Sequence, residues 1–336
     1  MLKVTLGKTG ITVNKNGFGA LPIQRITKEE AARLLRKAYD NGVQYFDTAR
    51  AYTDSEEKIG YALSDVRDKI YLATKSKSLT PEGLRKDLET SLKILKTDYV
   101  DVFQFHNPPF LPKPGGEDGL YDEALKLQSA GKLRFISTTS HKIHIAHEAI
   151  DSGLYATLQY PFSYIAAPNE LELAKKCKEA NVGFIGMKGL AGGLIKCSAA
   201  AYAFASLYDN LLPIWGVQKE FELDEFLSYQ DSPPVLDEKL QALIDKDRAE
   251  LKGNFCRACG YCMPCPAGIN IPHAARMSLF LRRSLVAPNL TPEVQEMMHR
   301  IPNCLHCNHC KNNCPYGLDT PTLLAENYKD WLTFLK

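Results

Sequence analysis

Residues 69–106, K-I-Y-L-A-T-K-S-K-S-L-T-P-E-G-L-R-K-D-L-E-T-S-L-K-I-L-K-T-D-Y-V-D-V-F-Q-F-H, decide the fold. Both ends, KIYLATK (69–75) and DYVDVFQFH (98–106), are short runs, mostly apolar and not strictly alternating. That pattern suits strands buried on both faces. The stretch between them, about 80–96, is expected to form a helix. One strand, a crossing helix and a second strand make a unit whose strands run parallel.

The same unit recurs on either side. An N-terminal segment rich in Thr, Val and Gly suggests a hairpin. GFGAL (17–21) precedes a helix over 27–41, whose start is signalled by Thr27 and Glu30 as a capping box. VQYFDT (43–48) leads to a helix at 55–65. Further along come KLRFIST (132–138), TLQY (157–160), VGFIGMK (182–188) and LLPIWG (211–216), with helical segments between them. AAAYAFASLY (199–208) is apolar enough to be a buried helix, and a last one is expected at 220–229. Eight such strands close a (β/α)8 TIM barrel. A doubly wound sheet is disfavoured, because no G-x-G-x-x-G follows the first strand. The polar stretch 231–250, with Pro233-Pro234, is expected to be a linker. The expected division is a barrel over 1–230, the linker, and a small, mainly helical domain over 251–336.

Composition narrows the class. The 336 residues are 45% hydrophobic and 24% charged, with a formal net charge of +2. Basic and acidic residues are interspersed, which argues against a nucleic-acid tract or a polybasic membrane patch. MLKVTLGKTG has no apolar run after its lysine, and no stretch reaches the roughly 18 apolar residues that span a bilayer. A cytoplasmic protein is the expectation.

Cysteine usage sets the tail apart. Of ten cysteines, only Cys177 and Cys197 lie in the first 255 residues, and both are expected to be buried small hydrophobes. The other eight form two runs: Cys256, Cys259, Cys262 and Cys265, then Cys304, Cys307, Cys310 and Cys314. Each run ends in Cys-Pro. The second matches the C-x2-C-x2-C-x3-C-P pattern of bacterial [4Fe–4S] sites in full, and the first is one residue short. Three closely spaced thiolates hold three corners of a cubane, and the fourth, set off by proline, serves the other cluster. This assigns Cys256, Cys259, Cys262 and Cys314 to one [4Fe–4S] cluster, and Cys304, Cys307, Cys310 and Cys265 to the other. Zinc is the competing reading, since C-x2-C pairs also bind it. Zinc needs only two pairs per site and leaves the quadruple runs unexplained. His306 and His309 are expected to be surface or shielding residues. The intervening 272–300 is expected to be helical.

In barrels of this kind reactive side chains project from the C-terminal ends of strands. Those ends offer Asp47, Lys75 and His106, with Tyr52 in the loop after the second strand. Carbonyl reduction needs a proton donor near the developing alkoxide; a phenol serves when an ammonium favours its ionised form.

FDTARAY (Phe46 to Tyr52), ATK (Ala73 to Lys75) and FQFH (Phe103 to His106) resemble the catalytic segments of the aldo-keto reductase family. The likeness runs from about residue 3 to 230, including G-K-L-R-F-I and L-A-G-G. With its cysteine tail, the chain is similar to the iron–sulfur subgroup of that family. The resemblance implies Tyr52 as general acid, Lys75 depressing its pKa, Asp47 pairing with Lys75, and His106 orienting the substrate carbonyl. It also implies hydride from a nicotinamide cofactor, NADP or NAD. At the cofactor positions Thr139-Ser140 replace the usual Ser-Asn pair. Gln159 matches, Ser163 stands where Asn is usual, and Met187 stands where an aromatic usually stacks. Lys188, Gly189, Leu190, Gly192 and Gly193 form the loop next to the pyrophosphate. Gly216 and Lys219 follow the last strand, with Lys219 as the candidate for a 2′-phosphate.

His141, His144 and His147 recur every three residues and are expected to be a helix surface rather than metal ligands. Pro108-Pro109 through Gly115-Gly116 forms a loop at the rim. Three readings of the whole follow. The barrel reduces an aldehyde or ketone with NAD(P)H while the clusters are structural or regulatory. Alternatively, the clusters relay electrons from a ferredoxin-like partner, which requires a flavin or a radical-stabilising substrate. The third is a non-enzymatic redox sensor with the barrel as scaffold.

Overall fold

A computed structural model describes residues 1–251, 253 and 255–335. The chain forms two compact units: Met1–Gly189 with Cys197–Ile244, and Leu190–Lys196 with Asp245–Lys336.

In the first unit β1 (Lys3–Thr5) and β2 (Thr12–Asn14) pair as the expected antiparallel hairpin. Eight parallel strands follow and close on themselves. They are β3 (Gly17–Gly19), β4 (Tyr45–Asp47), β5 (Tyr71–Ser76), β6 (Val100–His106), β7 (Leu133–Thr139), β8 (Thr157–Pro161), β9 (Gly183–Met187) and β10 (Leu211–Gly216). β10 pairs with β3 through Ile214↔Gly17 and Trp215↔Phe18, which completes the ring. The eight strands coincide with the eight apolar runs, because a strand covered on both faces must be apolar on both. Val4, Leu6, Ile11 and Val13 of the hairpin region pack with Tyr45, Val102, Ile185 and Leu212 from the early parts of barrel strands. The hairpin thereby seals the N-terminal end and leaves the C-terminal end for chemistry.

The helices of this unit are α1 (Lys28–Asp40), α2 (Ser55–Leu63), α3 (Pro81–Leu95), α4 (Leu120–Ser129), α5 (Ile143–Asp151), α6 (Pro168–Glu179), α7 (Ser198–Ser206) and α8 (Glu220–Asp231). α1 shows why they form where they do. The Thr27 hydroxyl accepts the Glu30 N–H at 3.2 Å, and the Thr27 N–H donates to the Glu30 carboxylate at 2.9 Å. This is the capping box expected from the sequence. Ala31, Leu34, Leu35 and Ala38 then bury one face at helical spacing. Truncating Leu35, which is fully buried, to Ala would cost about 2–5 kcal/mol.

The stretch expected to be a linker is largely helix: α9 (Glu238–Glu250) occupies most of 231–250. Its polar text follows from exposure, with Ile244 its most buried residue. In the second unit α10 (Ile271–Ala274), α11 (Met277–Arg283), α12 (Pro292–Met298), α13 (His309–Asn312) and α14 (Thr320–Leu332) surround a small core. That core contains Ile269, Met277, Met298 and Trp331 together with Cys262 and Cys310. Arg276 donates to Gly192 O at 2.7 Å and Arg283 to Leu194 O at 3.3 Å, tying segment 190–196 into this unit. Among the described residues no helix is long and apolar enough to cross a membrane.

Candidate active site and cysteine cavities

Parallel strands that end together carry their last side chains to one place. Asp47 and His106 are the last residues of β4 and β6, and Lys75 is next to last in β5. The Lys75 ammonium donates to Asp47 Oδ2 at 2.5 Å and to Thr48 O at 2.7 Å. Both side chains are almost wholly buried. Tyr52 lies in the turn between β4 and α2, its ring centroid 5.2 Å from Lys75 Nζ. The His106 ring meets Tyr52 edge-on at 5.8 Å between centroids. The four residues proposed from the strand ends therefore stand together.

Burial pushes the Lys75 ammonium below the ordinary lysine range, while Asp47 and then Glu56 counter it. Burial, followed by the charges of Lys75 and Lys77, holds His106 well below the usual histidine value. A neutral imidazole donates from one nitrogen and accepts at the other. His106 Nδ1 is buried and has no hydrogen-bond partner within the protein.

Sequence reasoning missed three participants. Gln104 Nε2 donates to Asp47 Oδ1 at 3.1 Å. Side chains two apart on a strand share a face, so F-Q-F-H already places Gln104 beside His106. Glu56, a buried carboxylate, accepts the Thr74 hydroxyl at 2.6 Å and pairs with Arg50. His141, expected on a helix surface, precedes α5 and is only 5% exposed. Its N–H donates to Asn107 Oδ1 at 2.8 Å. Burial, then Lys188 and His106, keeps its imidazole well below the usual value. The three-residue periodicity misled because the helix starts later. Only His144 and His147 lie on α5, exposed and half-buried respectively.

The residues proposed for the nucleotide are dispersed in role. Thr139 Oγ1 accepts the Asn107 N–H at 2.9 Å, and the Ser140 hydroxyl is engaged with the backbone of Lys142. Gln159 Nε2 lies 3.4 Å from Asp47 Oδ2, with its own Oε1 buried and unpartnered, as is that of Gln104. The Gln159 oxygen is an acceptor that an amide-bearing ligand would satisfy. Met187 packs partly against the inner core. Lys188 takes a positive φ of 60°. A Cβ on Gly189 would lie 2.5 Å from the Trp215 ring, so packing alone demands glycine there. Leu190, Gly192 and Gly193 belong to the second unit. A Cβ on Gly192 would meet Arg276 Nη1 at 3.0 Å, whereas Gly193 faces open space. Gly216 is exposed at the end of β10, and Lys219 is the N-cap of α8 with its N–H on Glu222 at 2.9 Å.

None of the ten cysteines is in a disulfide; Cys177 is buried and Cys197, against expectation, half-buried. The eight tail cysteines line two cavities. Cys256, Cys259, Cys262 and Cys314 line one, joined by Cys310. Cys265, Cys304, Cys307 and Cys310 line the other, joined by Cys262. The last cysteine of each run thus sits with the other run's first three. Among the described residues no three His, Cys, Asp or Glu side chains converge as they do around a single ion. Burial, then the neighbouring Cys256 and Cys259, pushes the Cys262 thiol up to about 12. A metal group bound through Cys262 would therefore displace its proton.

The sequence matches the Aldo/keto reductase family over residues 15–201 and a 4Fe–4S dicluster domain over 255–319. It is 30% identical over 213 residues to L-galactose dehydrogenase of Arabidopsis thaliana, covering 56% of this chain and 66% of that protein. It is 25% identical over 215 residues to the NADH-specific methylglyoxal reductase of Escherichia coli, covering 54% and 65%. The chain thus spans about two thirds of the length of these relatives. Among solved structures it is similar to an aldo-keto reductase of Bacillus halodurans in its holo form (TM-score 0.65, 18% identity, 74% and 96% of the two chains). It is also similar to one of Klebsiella pneumoniae in complex with NADPH (0.62, 20%, 73% and 95%). These likenesses concern the fold.

Proposed function

We propose that this chain, which belongs to the aldo/keto reductase family and carries a 4Fe–4S dicluster domain, moves a hydride between NADPH or NADH and an aldehyde or ketone. The observation that carries this is the convergence of Asp47, Lys75, Tyr52 and His106 at the C-terminal ends of β4, β5 and β6. A bound nicotinamide would supply the hydride. Tyr52 Oη then gives its proton to the carbonyl oxygen as that oxygen becomes an alkoxide. The phenolate left behind faces the Lys75 ammonium, which Asp47 holds in place. His106, neutral, hydrogen-bonds the carbonyl oxygen and fixes its approach. The unpartnered carbonyl oxygen of Gln159 suits a carboxamide, which supports nicotinamide use. The eight thiols hold two [4Fe–4S] clusters in the crossed sets.

The test is Tyr52→Phe in cluster-loaded protein, assayed against small aldehydes with NADPH and NADH. Turnover should collapse while the visible cluster absorption stays. Unchanged turnover would sink the proposal. A second reading is favoured by the dicluster domain itself, because a cluster passes single electrons and a hydride carries two. In it the clusters take electrons from a ferredoxin-like partner, with a flavin gathering two single electrons into the pair that the barrel's reduction consumes. Bleaching of the cluster absorption by NADPH would favour that reading over the first.

A further inference from the structure

The two cysteine sets are unequally exposed. Over the first, the Arg257 guanidinium lies 4.5 Å from the Phe255 ring centroid and 5.5 Å from that of Tyr316. Arg257 and Tyr316 both line the cavity of that set, and none of its four run-assigned cysteines is exposed. The second set differs at one cysteine. Cys307 is exposed, alone in this among the cysteines of the described residues. Leu305, His306, Asn308 and His309 around it are exposed as well, Leu305 at 65%. His306 and Asn308 take positive φ of 50° and 57°, so the chain turns tightly on either side of Cys307.

We propose that Cys265, Cys304, Cys307 and Cys310 form the ligand set through which this domain exchanges electrons with dissolved one-electron carriers. The set Cys256, Cys259, Cys262 and Cys314 is the insulated one. The inference rests on the crossed two-cluster reading above. Electronic coupling falls steeply with the thickness of intervening protein, and solvent exposure is among the factors that set a cluster's potential. A reduced one-electron carrier, such as a viologen radical, passes one electron per encounter at the Cys307 side, with no bond made or broken. In the other direction ferricyanide removes one electron and becomes ferrocyanide. Repeated oxidation breaks the cluster: the bridging sulfides leave as sulfur(0), their electrons reducing further ferricyanide to ferrocyanide, the chelator takes the iron, and the four cysteine sulfurs are released. Each thiolate then attacks iodoacetamide: a C–S bond forms, the C–I bond breaks, and iodide leaves.

The experiment treats full-length, cluster-loaded protein anaerobically with ferricyanide and EDTA for graded times. The oxidant is then removed and a phosphine reductant returns any oxidised cysteine to thiolate, before iodoacetamide, proteolysis and mass spectrometry, with iron counted in parallel. The first phase should release about half of the iron, as expected for one of two equal clusters. Label should appear on Cys265, Cys304, Cys307 and Cys310, while the insulated set is labelled only in a slower phase. Buried Cys177 should stay unlabelled until denaturation, which reports that the fold survives. Label arriving first on Cys256, Cys259, Cys262 and Cys314, or on all eight in one phase, overturns the proposal. Label dividing residues 256–265 from 304–314 overturns the crossed reading and the proposal with it, and its map tells the two failures apart. Arg257→Ala, which removes the cover, should bring the two phases closer together; an unchanged interval overturns the insulating role.

Discussion

The side-chain amide of Gln104 donates to Asp47 Oδ1 at 3.1 Å, the carboxylate oxygen opposite the one that Lys75 holds at 2.5 Å. Asp47 is thereby fixed from both sides in a dry setting. Gln104→Leu keeps the volume and removes a hydrogen bond to a charged group, which costs about 1.5–3 kcal/mol. Urea unfolding should show that loss. In the proposed reaction kcat should fall more than KM rises, because Gln104 positions Asp47 rather than substrate.

Lys75→Met leaves the Asp47 carboxylate buried without its cation. Breaking a buried pair from one side costs about 3–5 kcal/mol. Adding Asp47→Asn removes the stranded charge, so the double variant should regain most of the stability and none of the turnover. Thermal unfolding of the single and double variants closes the cycle. A double variant no more stable than Lys75→Met would refute the pairing.

His141 and His106 are held neutral by burial, so their folded values lie below the unfolded value of about 6.5. As pH falls below about 6.5 the unfolded chain binds protons that the native site refuses. Stability is then lost by at most about 1.4 kcal/mol per pH unit for each histidine. Above that pH the contribution is fully present. His141→Gln should flatten the acid side of a plot of Tm against pH without changing its slope above pH 7. An unchanged acid side would show that His141 charges freely in the folded protein.

Gly189→Ala is expected to fail by packing. Its Cβ would sit 2.5 Å from the Trp215 ring, which is itself stacked on Phe226 at 4.3 Å and cannot retreat. Overpacking of this kind costs about 1–3 kcal/mol. Denaturation followed by tryptophan fluorescence would measure it. Gly193→Ala meets no neighbour, and its cost should come from its φ of +90° alone.

Iron removal should loosen the second unit. Cys262 and Cys310 share a core with Trp331, which is fully buried and donates through Nε1 to Asn289 O at 3.1 Å. Where ligand binding organises a small domain, the free energy of metal binding is folding free energy. Exhaustive chelation should shift Trp331 emission to the red, and Trp331→Phe should abolish that shift. Trp215, in the first unit, is the other tryptophan and should be silent.

Much of this was legible in the chain alone. The eight strands were readable because parallel strands are covered on both faces, which forces continuous apolar runs whatever the partners. The capping box at Thr27 and Glu30 was readable because it is a contact across three residues. Asp47, Lys75 and His106 could be nominated because barrel chemistry collects at strand ends, a topological rule that needs no coordinates. The helix at 238–250, within the expected linker, was not legible as a helix because a mostly exposed helix carries little apolar periodicity. His141 was mistaken for surface because a periodicity of three does not reveal where a helix begins.

What the sequence determined, then, was what is local or repeated: strand–helix alternation, caps, and cysteine spacing. What only the tertiary structure decided was what depends on distant segments meeting. Gln104 and Gln159 both reach Asp47, Trp215 forbids a side chain at residue 189, and segment 190–196 is held by Arg276 and Arg283. Cys307 is left bare while Arg257 and Tyr316 line the cavity of Cys256. Each of these is a matter of burial and approach between residues far apart in the chain, and spacing along a sequence carries no measure of either.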